Sequence, residues 1–531
     1  MRLGAAGIRS TEYGYIRIGT TKSKERKSPR LKFLKFLKTS FKKFLSRVWD
    51  RVPRSYGLEQ SPKVLTFKEV SMSKFFGNKA FYRTVLAVTI PIAVQNAISN
   101  FISLLDNVMV GQVGTEQMSG VTIVNQLMFV YFLCIFGAVS GAGLFTAQFY
   151  GKGDNEGIRQ TFRYKLYSAL ILCAAAVTLF LTCGENLMQL YLRAEGEGNA
   201  PALVMHYARQ YLAVVMVGML PTALTQVYSC TLRECGHATP PMVAGIVGVA
   251  VNGTLNYVLI FGKFGAPVMG VRGAALATVI ARFTELALVI IWTHTHTKKC
   301  RFAKGLYRSF RISGGLARRI FFTGTPLLLN ETFWAMAQAM LMQCYSAWGT
   351  DVVPALSISN AFFDTASVLY MSLGTAIAIV LGQTLGASGR DKAREDAPRL
   401  MTLSLLTGFA TTAVIFACSF FFPNIYNTTP AVKELARSFM RIAALAAPIN
   451  AFTNASYFTL RSGGKTVVTF LFDSVYAWMI SVPLAFCLVH FTSLPITAVY
   501  LFCQLIDLSK CTIGLLLVRR GTWATTIVGD A

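Results

Sequence analysis

The chain has 531 residues, of which 53% are hydrophobic and only 14% charged, and its formal net charge is +27. So low a charged fraction points to the membrane class rather than to a soluble domain. The basic excess sits in short loops and one N-terminal segment, the distribution of a cytoplasmic-loop bias, and this argues against nucleic-acid binding.

Eleven cysteines are scattered through the chain, mostly inside apolar runs, as at Cys134, Cys173, Cys418 and Cys487. There is no CxxC and no His/Cys spacing suited to a metal, so they read as small buried hydrophobes.

Residues 1–71 carry a net charge of about +13 and no long apolar run, which marks them as cytoplasmic or unstructured. Within them Leu34, Leu37, Phe41, Phe44, Leu45 and Val48 fall at helical spacing with lysines between. Such a helix would lie on an anionic membrane surface. The alternative is that translation starts at Met72, where MSKFFGNKAFYR reads as a short lead-in to the first span, so that 1–71 are a non-native or disordered extension. The first 30 residues lack the apolar core of a cleavable signal peptide.

From Phe81 onward twelve apolar runs are long enough to span a bilayer: about 81–111, 117–148, 160–183, 204–231, 238–262, 270–297, 316–346, 352–386, 398–422, 433–460, 465–490 and 494–518. Loops alternate in charge. One set holds Lys152, Arg163, Arg233, the 298–319 stretch, Arg390, Arg461 and Arg519; the other is poor in Lys and Arg and holds Glu116, Glu185, Glu195, Glu197 and Asp351. The basic set is therefore cytoplasmic, and an even span count puts both termini inside. The expected protein is an all-α, multi-pass plasma-membrane protein with twelve transmembrane helices in two pseudo-symmetric six-helix lobes. The lobes would be 72–297 and 316–520, joined by a basic cytoplasmic linker 298–315 and followed by a cytoplasmic tail 521–531.

The two lobes repeat. Shifted by 235 residues, Pro91 falls on Pro326, Gly114-Thr115-Glu116 on Gly349-Thr350-Asp351, Asn125 on Asn360, Gln148 on Gln383 and Gly151 on Gly386. Parallel repeats of this kind hold transport sites between or within them.

Polar residues inside the spans are the candidate site. Asp106 lies in span 1, where an unpaired charge costs at least about 2.5–3.5 kcal/mol. At about 1.5 Å per residue, Asp106, Asn252, Asn256 and Thr278 share one depth, roughly 9 Å below the outer edge of the first lobe. A carboxylate with amide and hydroxyl oxygens suits a hard monovalent cation or a proton. The alternative for the amides and the threonine is plain helix-to-helix bonding.

The second lobe has Glu331, Asp364 and Asp473 nearer the midplane, fitted to attract a cationic substrate or to carry protons. Asn125 and Asn360 belong to the same pathway, and Phe101, Phe129, Phe333 and Trp334 are candidates to line a cavity for flat cations. Arg282/Glu285 and Asp507/Lys510 have i, i+3 spacing and read as self-neutralised structural pairs. Arg441 is a candidate partner for one of the acids. Pro91, Pro326 and Pro483 permit bends.

Enzyme readings find no support. Ser462-Gly-Gly-Lys-Thr466 ends like a phosphate loop, but its required first glycine is Thr459, and no GxSxG or HExxH occurs.

Pro91–Gly151 with its echo at Pro326–Gly386 resembles the multidrug and toxic compound extrusion (MATE) family, over about Met72 to Arg520. Pro91 followed by Asp106 looks like that family's first-helix proline and cation-binding aspartate. Asn252-Gly-Thr-Leu-Asn256 is similar to its fifth-helix element, and GAALAT ending at Thr278 to its sixth-helix threonine. The resemblance implies a V-shaped pair of lobes in a bacterial plasma membrane. It also implies export of small, often cationic organic compounds, driven by Na+ or H+ and with no other cofactor or metal; a monomer is expected.

Three positions depart from the pattern. Asn256 stands where some branches have Asp, Trp334 where the NorM-like branch has Glu, and Asn450 where that branch has Asp. Glu331, Asp364 and Asp473 are the candidate substitute. Two rival readings stay open: a flippase for lipid-linked sugars, which requires a strongly cationic cavity, and a non-transporting receptor or scaffold.

Overall fold

The computed structural model describes residues 75–194 and 201–529. The basic extension with its surface-helix pattern, the start at Met72, and Glu195 and Glu197 lie outside the described residues.

Twelve long helical spans run through the described residues: α1 Lys79–Gly111, α2 Thr115–Lys152, α3 Asn155–Ala194, α4 Pro201–Glu234, α5 Thr239–Phe261, α6 Val271–Thr295, α7 Gly314–Ser346, α8 Val352–Ala387, α9 Gly389–Cys418, α10 Pro430–Ser462, α11 Thr466–Phe491 and α12 Ile496–Arg520. Ten of them contain a stretch long and apolar enough to cross a membrane. The other two, α7 and α10, hold more charge, including Glu331 and Arg461. With no water to take up backbone polar groups, helix is the form such a chain must adopt.

Packing follows the repeat. In the first lobe α1 packs on α5, α2 on α3 and α4, and α6 on α4 and α5; in the second α7 packs on α11, α8 on α9 and α10, and α12 on α10 and α11. The backbone repeats as well. Gly114 and Gly349 both have φ near 150° (158° and 143°), and Gly236 and Gly464 both have φ 76°. The last two are 228 residues apart, so the repeat offset changes from 235 in the first helix pair of each lobe to 228 around the ends of α4 and α10.

The lobes meet along α1–α8, α2–α7 and α2–α8. At the end of the bundle that carries the basic loops, α2 and α8 touch backbone to backbone. A Cβ on Gly151 would strike the Gln383 carbonyl oxygen, and one on Gly386 would strike that of Gln148. Glycine is required at both positions.

Two segments cap this basic end. The linker lies against α3, where Arg159 Nε donates to the Phe302 carbonyl at 3.1 Å and Arg163 donates to the carbonyls of Leu306 and Arg311. Residues 521–529 are not a simple tail: they fold back as a strap with Trp523 and Val528 buried. Thr525 Oγ1 donates to the Gly463 carbonyl, and Gln148 of α2 accepts from the Ile527 N–H at 2.8 Å. The strap therefore ties the second lobe to the first.

Pro91 and Pro326 sit inside α1 and α7. Pro483 follows two wide π-helical segments of α11, Leu471–Val475 and Ala477–Ser481. Its ring cannot donate to the preceding turn, and π-turns of this kind often mark functional positions.

Candidate functional site

In the first lobe α1, α5 and α6 bring the four polar residues of matched depth together. Asn256 Nδ2 donates to Asp106 Oδ1 at 2.5 Å and to Asn252 Oδ1 at 3.3 Å, and Asn252 Nδ2 donates to Thr278 Oγ1 at 3.2 Å. Asn252 and Asn256 are buried because α5 presents them to α1 and α6 rather than to lipid.

One feature of the cluster stands out chemically. Asn256 Oδ1 is buried and has no hydrogen-bond donor among the described residues. Such an orphaned acceptor costs about 1–3 kcal/mol. With Asp106 ionised, turning the amide over would aim that oxygen at the carboxylate and be worse. A cation held against that oxygen would satisfy it.

Two further residues join this site. Tyr211 of α4 is buried, donates to Asn125 Oδ1 at 3.5 Å, and lies close enough to Asp106 to interact electrostatically. Tyr211 is absent from the sequence reading, because a tyrosine in an apolar run carries no signal of its own. Arg282 bonds Glu285 at 3.1 Å, so that pair is present, and its charge also reaches Asp106.

The second lobe builds something different. Lys510 Nζ lies 2.6 Å from Asp473 Oδ1, and Asn330 Nδ2 donates to Asp473 Oδ2 at 3.1 Å and to Tyr457 Oη at 3.2 Å. The expected Asp507/Lys510 pair is corrected in its partner: Lys510 bonds Asp473 and keeps with Asp507 an electrostatic interaction without a hydrogen bond among the described residues. The ammonium crosses from α12 to α11, where Asp473, on a π-helical turn, offers an acceptor already held by Asn330. Glu331 lies 3.9 Å from Arg461 and interacts with Asp473.

Asp364 and Asn360 of α8 are exposed and join neither cluster, so the three second-lobe acids do not form one site. Among the described residues Arg441 pairs with no acid; its guanidinium lies over the Phe420 ring at 5.1 Å. Phe101, Phe129, Phe333 and Trp334 are all exposed, available to lipid or to a cleft between the lobes.

The repeat explains the asymmetry. Asn330 is the counterpart of Gln95 at offset 235, while Arg461 and Asp473 are the counterparts of Arg233 and Gly245 at offset 228. Arg233 indeed donates to Gln95 Oε1 at 3.1 Å. The second-lobe cluster is thus the mate of Gln95 and Arg233, not of the Asp106 group. The counterparts of Asp106, Asn252 and Asn256 are Leu341, Ile480 and Leu484, all apolar.

The sequence reading assigns Arg233 and Arg461 to basic loops. The structure continues α4 and α10 past them and buries Arg461 almost completely. The available signal was the repeated triplet Thr231-Leu232-Arg233 and Thr459-Leu460-Arg461.

The MatE family model matches residues 91–258 and 326–504, one block in each lobe and together well over half of the chain. "Probable multidrug resistance protein NorM" of Thermotoga maritima is 23% identical over 83% of this chain and 93% of its own length. Multidrug resistance protein MdtK of Yersinia pestis is 25% identical over 76% of this chain and 86% of its own. Among solved structures, an outward-facing multidrug resistance MATE family transporter has a TM-score of 0.74 at 18% identity, covering 82% of this chain and 95% of that one, and shares its fold. With the family pattern present in both lobes and the fold held in common, this chain is a member of the MATE family.

Proposed function

We propose that the chain is a cation-coupled exporter of organic compounds, in which Asp106 binds the coupling Na+ or H+ with Asn252, Asn256 and Thr278 as its oxygen partners. The observation that carries this is the buried Asn256 Oδ1, without a donor among the described residues, on the same amide whose Nδ2 holds the Asp106 carboxylate. The multidrug names of the relatives support the substrate class.

The basic end, where the lobes are joined, is the cytoplasmic one by its loop charge. Ion binding at Asp106 favours one lobe arrangement, and the free energy available to expel substrate is limited to the ion's differential affinity for the two states. The exposed aromatics Phe101, Phe129, Phe333 and Trp334, with Asn125, Asn360 and Asp364, supply apolar and polar surface for substrate between the lobes.

The test is purified protein in liposomes under an imposed Na+ gradient, then a pH gradient, following ethidium in wild type and Asp106→Asn. Movement driven by one gradient and lost in the variant is the expected result and names the ion. Movement that survives the substitution moves the coupling site elsewhere.

A further inference from the structure

A cavity of about 70 Å³ lies in the seam between the lobes at the basic end. Ser140, Cys230 and Arg233 line it from the first lobe, and Thr375, Phe458 and Arg461 from the second. At about 30 Å³ per water it has room for roughly two waters, or for one carboxylate or phosphate group.

Its two arginines are repeat mates, and neither is fully engaged. Arg461 is 4% exposed, yet its five N–H donors meet only Tyr457 Oη at 3.4 Å and Glu331 at 3.9 Å among the described residues. The ring of Phe458 lies under it at 5.5 Å. Arg233 bonds Gln95, but its Nε is buried without a partner among the described residues. Glu234 also lines the cavity; its ion pair is with Lys165, which is fully buried against it, and it interacts more weakly with Arg233. Two guanidinium groups with spare donors thus face one small low-dielectric space, and an anion would satisfy both by charge-assisted bonds.

We propose that this cavity binds a carboxylate or phosphate carried by the transported molecule, so that organic compounds bearing an anionic group are preferred substrates. The assignment rests on the export reading. Because one arginine comes from each lobe, an anion held between them also draws the lobes together at this end.

The test uses a fluorescent xanthene dye with a free carboxylate and its methyl ester, which differ only in the anionic group. Equilibrium binding to the purified full chain is measured for wild type, Arg233→Gln and Arg461→Gln. Each substitution is expected to weaken binding of the free acid by about tenfold or more and to leave the ester within about twofold, the scale of one lost charge-assisted bond. Inorganic phosphate is expected to compete with the free acid.

Equal effects on both dyes, or none on either, overturn the site while leaving the export reading intact. Displacement of the acid by anionic phospholipid but not by phosphate assigns the cavity to a lipid headgroup and overturns the substrate assignment. Binding of the acid that depends on the arginines, with no transport under any gradient, keeps the site and removes the export reading. Should Arg461→Gln fail to fold, Arg461→Lys keeps the charge without the fork, and the less buried Arg233→Gln gives the same readout.

Discussion

Gln148 on α2 and Gln383 on α8 are repeat mates, and each crosses the seam to the last turn of a helix in the other lobe. Gln148 Nε2 donates to the Ser462 carbonyl at 3.3 Å, and Gln383 Nε2 donates to the Glu234 carbonyl at 2.7 Å. Helix ends leave carbonyls without intrahelical partners. These two amides supply the missing donors, and in doing so they join the lobes at the basic end.

The glycine contacts beneath those glutamines make the joint sensitive to one methyl group. Gly386→Val would push a side chain into the Gln148 carbonyl. Overpacking of this kind costs about 1–3 kcal/mol, or roughly a five- to 150-fold fall in the closed population. Alkylation of Cys230, which lines the seam cavity, should accelerate by about fivefold or more. An unchanged rate would mean that the lobes do not meet there.

The orphaned acceptor makes a prediction about ion affinity. Asn256→Ala removes the proposed oxygen ligand and the bond to Asp106, and should raise the half-saturating Na+ or H+ concentration by about tenfold, the worth of about 1.4 kcal/mol. The ion dependence of substrate efflux in liposomes reads this directly. If it does not move, the amide is not part of the ion site.

The two lysine readings differ in their cost. Lys510→Met leaves the partly buried Asp473 carboxylate with Asn330 but without its ammonium, which should destabilise the protein by up to about 3–5 kcal/mol. Asp507→Asn should cost far less, and the double variant Asp473→Asn/Lys510→Met should recover much of the loss, since no lone charge remains. Thermal unfolding in detergent compares them. An equal loss for Asp507→Asn and Lys510→Met would restore the pairing within α12.

Removing the strap should loosen the same end of the seam. Truncation after Arg520 takes away Trp523, which is 1% exposed, and the Ile527 bond to Gln148. Hydrogen exchange over residues 143–151 and 459–464 should rise, while α5 and α6 around Asn256 keep their protection. Exchange that stays at the wild-type rate would show that the strap bears no load.

Much of the fold could be read from the chain because spanning a bilayer is a local requirement. A run of about 20 apolar residues must become a helix wherever it sits. The helices that carry Asp106, Asn252 and Thr278 were therefore visible, and a fixed rise per residue was enough to set those side chains at one depth. The repeat from Pro91 to Gly386 was equally legible, since identity at a constant offset needs no structure to detect.

Rotation of each helix about its axis was not legible, and partner choice depends on it. Lys510 has carboxylates on two helices within reach, and the sequence offers only the spacing to Asp507. Packing of α11 against α12, with a π-turn at Asp473, decided for the other. Arg233 and Arg461 read as loop charges until the ends of α4 and α10 were seen to run into the seam.

The sequence by itself determined the helices, their order, their two-fold repeat and the depth of their polar groups, because those follow from local hydropathy and from counting. Only the tertiary structure decided which oxygens meet at Asp106, which acceptor of Asn256 is left without a donor, and where the lobes touch. Those outcomes depend on the rotation and tilt of helices far apart in the chain, set by packing that no single segment encodes.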